Sequence, residues 1–337
     1  TDNGVLTLTA NDTSASTSYT GYTKGTVAAG TEAKILLDAD YRITTGTGNL
    51  TATIAAGTHE SGNITLGNIS TTGTTGVVTL NTSSTEGNSA NSTLNATVVN
   101  AVALDLGAST VGGNLTATAT TGNMTDSGVL TITGASAFTT NADGVAILFN
   151  ENHAFTGAVT ITTNDSDGSD SDATISAGSS AELKLAASTI DGNLIVTSSN
   201  TTGISQTGAL TVLGTSSFTT SADGADINLD NTSNNLDGTV HFVTNDNSNG
   251  DGVYAGNVTL EHSDAIEIGT VNSVTSSIKG NLKIDTSATG AALADNGSIK
   301  VYGTTDLTLT GGNSFLNWNG NRHDLDGLVT ASAHHVK

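Results

Sequence analysis

The chain has no cysteine, no proline, one methionine, one tryptophan and only nine Lys or Arg residues among 337. Each shortage excludes something. Without cysteine there are no disulfides, no thiolate nucleophile and no Cys-ligated metal. Asp and Glu number 31, so the formal net charge is −22. A field of that sign repels phosphate, which argues against nucleic acid and anionic membranes as partners. No apolar run approaches the ~18 residues of a membrane helix, so no membrane insertion by that route is expected. No twelve-residue window carries a capped i, i+3, i+4, i+7 apolar stripe, so helices are not expected either. The missing proline is a positive signal. Typical usage would supply roughly 17. Linkers tolerate proline, but interior strands exclude it because it cannot donate to a ladder.

What is abundant is Gly, Thr, Ser, Ala and Asn, with short alternating apolar runs. Val5-Leu6-Thr7-Leu8, Val77-Val78-Thr79-Leu80, Val129-Leu130-Thr131-Ile132, Ala209-Leu210-Thr211-Val212 and Val258-Thr259-Leu260 are strand-like, each bounded by Gly, Asn or Asp. Disordered tracts have no reason to keep such a rhythm.

A longer repeat runs through the chain. One copy carries Ser109-Thr110, Gly113-Asn114-Leu115, Phe138-Thr139-Thr140, Ala142-Asp143-Gly144 and Thr163-Asn164-Asp165. The next carries Ser188-Thr189, Gly192-Asn193-Leu194, Phe218-Thr219-Thr220, Ala222-Asp223-Gly224 and Thr244-Asn245-Asp246. The offset grows from 79 (Ser109 to Ser188) to 81 (Asn164 to Asn245). A third, more worn copy has Gly280-Asn281-Leu282, Asn296-Gly297 and Leu325-Asp326-Gly327. Within a copy the apolar clusters recur about every 20 residues, the spacing of solenoid coils. The reading is therefore all-β: a right-handed parallel β-helix with roughly 20 residues per coil, drawn out into an elongated rod of about 15 to 17 coils, ~70 to 80 Å long. Residues 1–30 form an irregular edge with one repeat-like strand. Residues 31–330 form the continuous solenoid, with repeats near 109–187, 188–275 and 276–330, and 331–337 form a flexible tail. The chain opens on an ordinary repeat element, Asp2 to Leu8, without Met or a signal segment, so an excised or processed piece is expected.

In this fold Leu, Val and Ile point inward and stack on the next coil, each burial being worth about 1.5 to 3 kcal/mol before entropy. The Thr between them faces water. Gly-Asn, Asp-Gly and Asn-Gly steps are expected to supply positive φ at the turns, and Asn or Asp in register to bond to one another as ladders.

Chemistry-bearing residues are few. The loop Asn164 to Asp172 places Asp165, Asp167, Asp170 and Asp172 together, oxygen ligands of the kind calcium takes. Position twelve counted from Asp165 is Ser176 where an EF-hand has Glu, so the loop reads first as a solvated insertion and second as a calcium site. No cofactor is required. No zinc-ligand spacing links His59, His153, His241, His262, His323, His334 and His335. Accidental carboxylate pairs, such as Glu182 with Glu261 or Glu267, are expected among so many acids, and a catalytic pair is not. Phe138 and Phe218 share a repeat position and read as core, as do Phe149, Phe155 and Phe242. Trp318 reads first as a plug in a widened coil and second as part of a polar ligand patch, and Tyr19 and Tyr22 as contact residues of the irregular edge.

Gly113 to Ala119, Gly208 to Val212, and Ser217-Phe218-Thr219-Thr220 followed by Ala225-Asp226-Ile227-Asn228-Leu229 resemble the repeats of large bacterial exoproteins of the filamentous haemagglutinin and two-partner secretion type. The resemblance covers roughly Gly48 to Gly327. It implies a right-handed parallel β-helix, export to the cell surface or medium, and a place as an internal rod segment of an adhesin. The expected partners are a glycan or protein of a host or neighbouring cell. The alternatives are a subunit of a self-assembling extracellular fibre, matrix or surface layer with end-to-end association, a polysaccharide-active β-helix enzyme, and an ice-binding Thr array.

Overall fold

A computed structural model describes residues 6–11, 35–37, 43–46, 48–55, 63–71, 76–82, 94–164, 170–246, 255–318 and 322–336. The chain divides into two compact units, Thr1–Gly157 and Ala158–Lys337. Each is a right-handed parallel β-solenoid, as the sequence predicts, with coils of about 23 residues where roughly 20 were expected. Strands two to nine residues long, mostly bounded by Gly, Asn or Asp, lie parallel to their equivalents one coil away.

In the first unit Ala96 pairs with Leu115 and Leu115 with Ser136, while Val98, Ala117 and Phe138 form the next inward column. The strand Leu115–Ala119 alternates buried and open residues, with its threonines outward. In the second unit Ile175, Val196, Phe218 and Phe242 stack in one column, and Leu229, Leu260, Ile284 and Leu307 in another. These side chains are 0 to 1% exposed. Phe138, Phe149, Phe155, Phe218 and Phe242 are all buried, so these five positions are core. Phe138 meets Phe149 edge-on at 4.6 Å, and Phe218 stacks on Phe242 at 5.8 Å.

The long repeat is three and a half coils. In the second unit Leu194 pairs with Ser216, Ser216 with Val240 and Val240 with Ile268, three steps up one sheet. Leu282, the equivalent of Leu194 in the next repeat, lies half a coil further on, in the opposite sheet and beside Val258. Equal sequence positions therefore alternate between two faces, which the sequence period alone does not reveal.

Two columns of polar positions hold the corners. Backbone N–H groups donate to the Asn or Asp side chain of the preceding coil: Asn114 to Asn95 Oδ1 (2.8 Å), Ala135 to Asn114 Oδ1 (2.8 Å), Asn193 to Asp172 Oδ1 (2.7 Å) and Asn281 to Asn257 Oδ1 (2.8 Å). These bonds span 19 to 24 residues of sequence. The ladder thus runs chiefly from side chain to backbone, where the sequence suggested side chain to side chain. A backbone donor has a fixed position in each coil, so it is the better partner. Amide-to-carboxylate bonds do occur, from Asn193 Nδ2 to Asp172 and from Asn257 Nδ2 to Asp226, both 3.0 Å.

The glycine before each Asn also differs from expectation. Asp143-Gly144, Asp223-Gly224 and Asn296-Gly297 turn at positive φ, but Gly113, Gly192 and Gly280 do not. Their column is one of close approach: Gly214 N–H donates to Gly192 O at 3.0 Å, and a Cβ on Gly214 would lie 2.6 Å from Gly192 C.

One further device recurs three times. Thr82, Thr163 and Thr244 are buried. Their hydroxyls donate to Leu94, Ser171 and Gly256 O, and accept the N–H of Gly112, Asp191 and Lys279 from the following coil. Each hydroxyl ties its own coil to the following one. The tail positions carry two short strands, Val329–Ser332 and His335–Val336.

Candidate functional surface

Of the four acidic residues singled out for calcium, Asp165 and Asp167 lie outside the described residues. Asp170 is exposed. Asp172 is half-buried, and its Oδ1 is the ladder acceptor for Asn193. Among the described residues no group of three or more His, Cys, Asp or Glu is placed to hold a metal. Tyr19 and Tyr22 also lie outside the described residues.

The carboxylates considered as pairs are separated by the topology. Glu182 sits 3.6 Å from Lys184. Glu261 pairs in register with Asp285 on one sheet, whereas Glu267 lies in the other and accepts the Thr239 hydroxyl. Trp318 is half-buried, its ring 5.1 Å from that of His323.

The register assembles a surface that spacing in the sequence conceals. Asn228, Thr259 and Lys283 are neighbours on three successive strands, and Asp226, Asn257 and Asn281 stand at the corners just before them. Together with Ile227 and Val258 they line a polar groove of about 410 Å³ in the second unit. Asp226 Oδ1 accepts the Asn257 N–H at 2.6 Å. Lys283 reaches Asp285 at 2.6 Å, which holds its ammonium above the ordinary lysine range, with Glu261 and Asp306 adding to the effect. The polar lining consists of three amides, the Thr259 hydroxyl, one ammonium and one carboxylate, groups able to hydrogen-bond a hydroxyl-rich ligand. The sequence signal was a Gly-Asn or Ala-Asp step followed by polar residues at alternate positions, legible only once the strands are aligned.

A second cluster gathers scarce positive charge. Lys279 and Lys300 lie 4.0 and 4.5 Å from the ring centroid of half-exposed Tyr302, a cation–π arrangement. The hydrogen bond from Lys279 draws the phenol below its ordinary pKa, helped by Lys300. Lys300 also pairs with Asp324 at 2.6 Å.

Among the described residues no helix is long and apolar enough to cross a membrane. No curated protein and no solved structure matches the chain. One family model matches it three times, at residues 91–162, 170–243 and 255–332, together more than half of the chain. These stretches contain the coils, glycine columns and Asn ladders described above, and the chain belongs to that family, described as repeats of unknown function (DUF5649).

Proposed function

We propose that the chain is a spacer segment of a secreted or surface-anchored bacterial adhesin, holding binding modules apart. The observation that supports this is the placing of the recurrent polar residues: Asn ladder, glycine column and threonine clasp all serve coil-on-coil stacking in successive repeats. A protein whose recurrent features all serve stacking is one in which length is the product. Excision of Leu194 to Asn281 tests the reading, because Gly192-Asn193 is then followed by Leu282 just as Gly280-Asn281 was. The shortened chain should fold and lose about 17 Å of length by electron microscopy, three and a half coils at ~4.8 Å each. A chain that no longer folds, or folds without shortening, defeats the spacer. Surface shaving of the source cells by protease tests export separately, and protection of the protein inside the cell defeats that half.

The groove at Asp226–Lys283 gives the spacer one face to which a neutral glycan can hydrogen-bond. Binding on a glycan array, lost in Lys283→Ala, is the expected result.

A further inference from the structure

Asp126 and His153 are both buried, their side chains 1% and 0% exposed, with Oδ2 and Nε2 3.6 Å apart. His153 Nδ1 accepts the backbone N–H of Leu130 at 2.9 Å. An accepting nitrogen needs its lone pair, so the ring is neutral with its proton on Nε2, facing Asp126. Both oxygens of Asp126 are already in use, accepting the N–H of Asn150 (2.9 Å) and of Glu151 (3.1 Å). The imidazole lies between Phe149 and Phe155, with ring centroids 5.5 and 5.4 Å away.

The second unit repeats the arrangement. Asp295 and His323 are 3.7 Å apart, 3% and 9% exposed, and His323 Nδ1 accepts the N–H of Ile299 at 3.3 Å. Leu130 and Ile299 head equivalent short strands. In the intervening repeat the equivalent strand is headed by Leu210, whose N–H donates to Asn234 Oδ1 at 2.9 Å, and the partner of Asn234 is Gln206. The same structural job is therefore done twice by a carboxylate and an imidazole and once by two amides. Packing alone is satisfied by the amide pair; what the imidazole adds is the ability to take a proton.

We propose that Asp126–His153 and Asp295–His323 are proton-operated latches, in which protonation of the imidazole removes the acceptor of the Leu130 or Ile299 N–H and frees that strand edge on mild acidification. Two forces oppose each other. The carboxylate attracts an imidazolium, and burial in an apolar pocket disfavours it. Burial is the larger effect at both sites and holds both histidines below their ordinary pKa. The charged groups around His153 are Asp126 on one flanking strand, Asp105 beside Asp126, and exposed Glu151 on its own strand. Around His323 they are Asp295, exposed Arg322, and Asp324 in its pair with Lys300. The two positive groups among these, Arg322 and Lys300, are donors only and cannot replace the lost acceptor.

The test transplants the protein's own neutral pair. Wild type, Asp126→Gln/His153→Asn and Asp295→Gln/His323→Asn are compared between pH 7.5 and 5 by amide hydrogen exchange, corrected for the intrinsic rate. In wild type the Leu130 and Ile299 amides should exchange several-fold faster at pH 5 than at pH 7.5, because the folded state holds both imidazoles below their ordinary pKa and protonation therefore favours opening. Each double variant should lose the acceleration at its own site and keep it at the other. Trp318 reports the second latch independently: its fluorescence should fall with acid in wild type and stay level in Asp295→Gln/His323→Asn. Acceleration that persists in the variants, or protection unchanged down to pH 5 in wild type, overturns the proposal. Should a variant fail to fold, the ¹⁵N shifts of the wild-type imidazoles decide. A neutral Nε2–H ring at pH 7 that becomes imidazolium together with loss of the Leu130 and Ile299 amides supports the latch, and an imidazolium already at pH 7 refutes it.

Discussion

Asn193 Oδ1 accepts both the backbone N–H and the hydroxyl of Thr215, at 2.8 and 2.7 Å, across one coil. Asn281 does the same for Thr304 at 2.7 and 2.9 Å, one repeat later in the chain. One residue thus fixes the start of the next strand and the rotamer of its threonine together.

Asn193→Ala removes that acceptor and leaves a half-buried N–H without it, so a loss of about 1 to 3 kcal/mol in urea unfolding is expected. Asn193→Asp retains the acceptor and should lose much less. Equal losses in the two variants would show that the ladder is not what Asn193 contributes.

Asp172 gives the same ladder bond from a carboxylate. Asp172→Asn keeps an oxygen in place, so its melting temperature should match wild type whether or not millimolar calcium is added. A calcium-dependent stabilisation that vanishes in Asp172→Asn would make this carboxylate a metal ligand instead.

The glycine column predicts a sharp positional contrast. A methyl on Gly214 would meet the Gly192 carbonyl carbon at 2.6 Å, whereas one on Gly312 meets nothing within 4 Å. Gly214→Ala should destabilise by about 1 to 3 kcal/mol through overpacking, and Gly312→Ala should stay within ~0.5 kcal/mol of wild type. Equal melting temperatures for the two variants would show that close approach is not what requires glycine at 214.

Thr244 donates to Gly256 O and accepts the Lys279 N–H, each at 2.8 Å. Thr244→Val keeps the shape but leaves both partners unsatisfied. The Lys279 amide should exchange faster than in wild type, and stability should fall by about 1 to 3 kcal/mol.

Burial raises the Asp105 carboxyl above its ordinary pKa, opposed by a hydrogen bond with Ser127 and aided by the nearby Asp126 charge. A raised folded pKa means the folded state holds the proton more tightly than the unfolded one. The stability that this confers is full below the unfolded pKa and is lost as pH rises through the folded value. At pH 7 the ionised carboxylate is therefore a liability. Asp105→Asn should raise the melting temperature at pH 7 and raise it less near pH 3.5, a difference that a pH series of thermal melts reads directly.

Much of this was legible beforehand. Alternation in runs such as Leu115-Thr116-Ala117 places one set of side chains inward whatever the strand pairs with, because successive residues of a strand point to opposite faces. The absence of proline and the Gly-Asn punctuation then demanded continuous ladders with tight corners. That determined the parallel solenoid, the buried phenylalanines and the approximate coil length. Repeat spacing could not show that equivalent residues alternate between sheets, because a period near 80 is silent about how many coils it contains. Nor could it show that Asp126 lies beside His153, Gln206 beside Asn234 and Asp295 beside His323. Those pairs lie more than a coil apart in sequence and meet only through the stacking register. Composition and local pattern determine which faces are apolar; which polar side chains meet is decided by the register in which successive coils stack, and those contacts exist only in the folded chain.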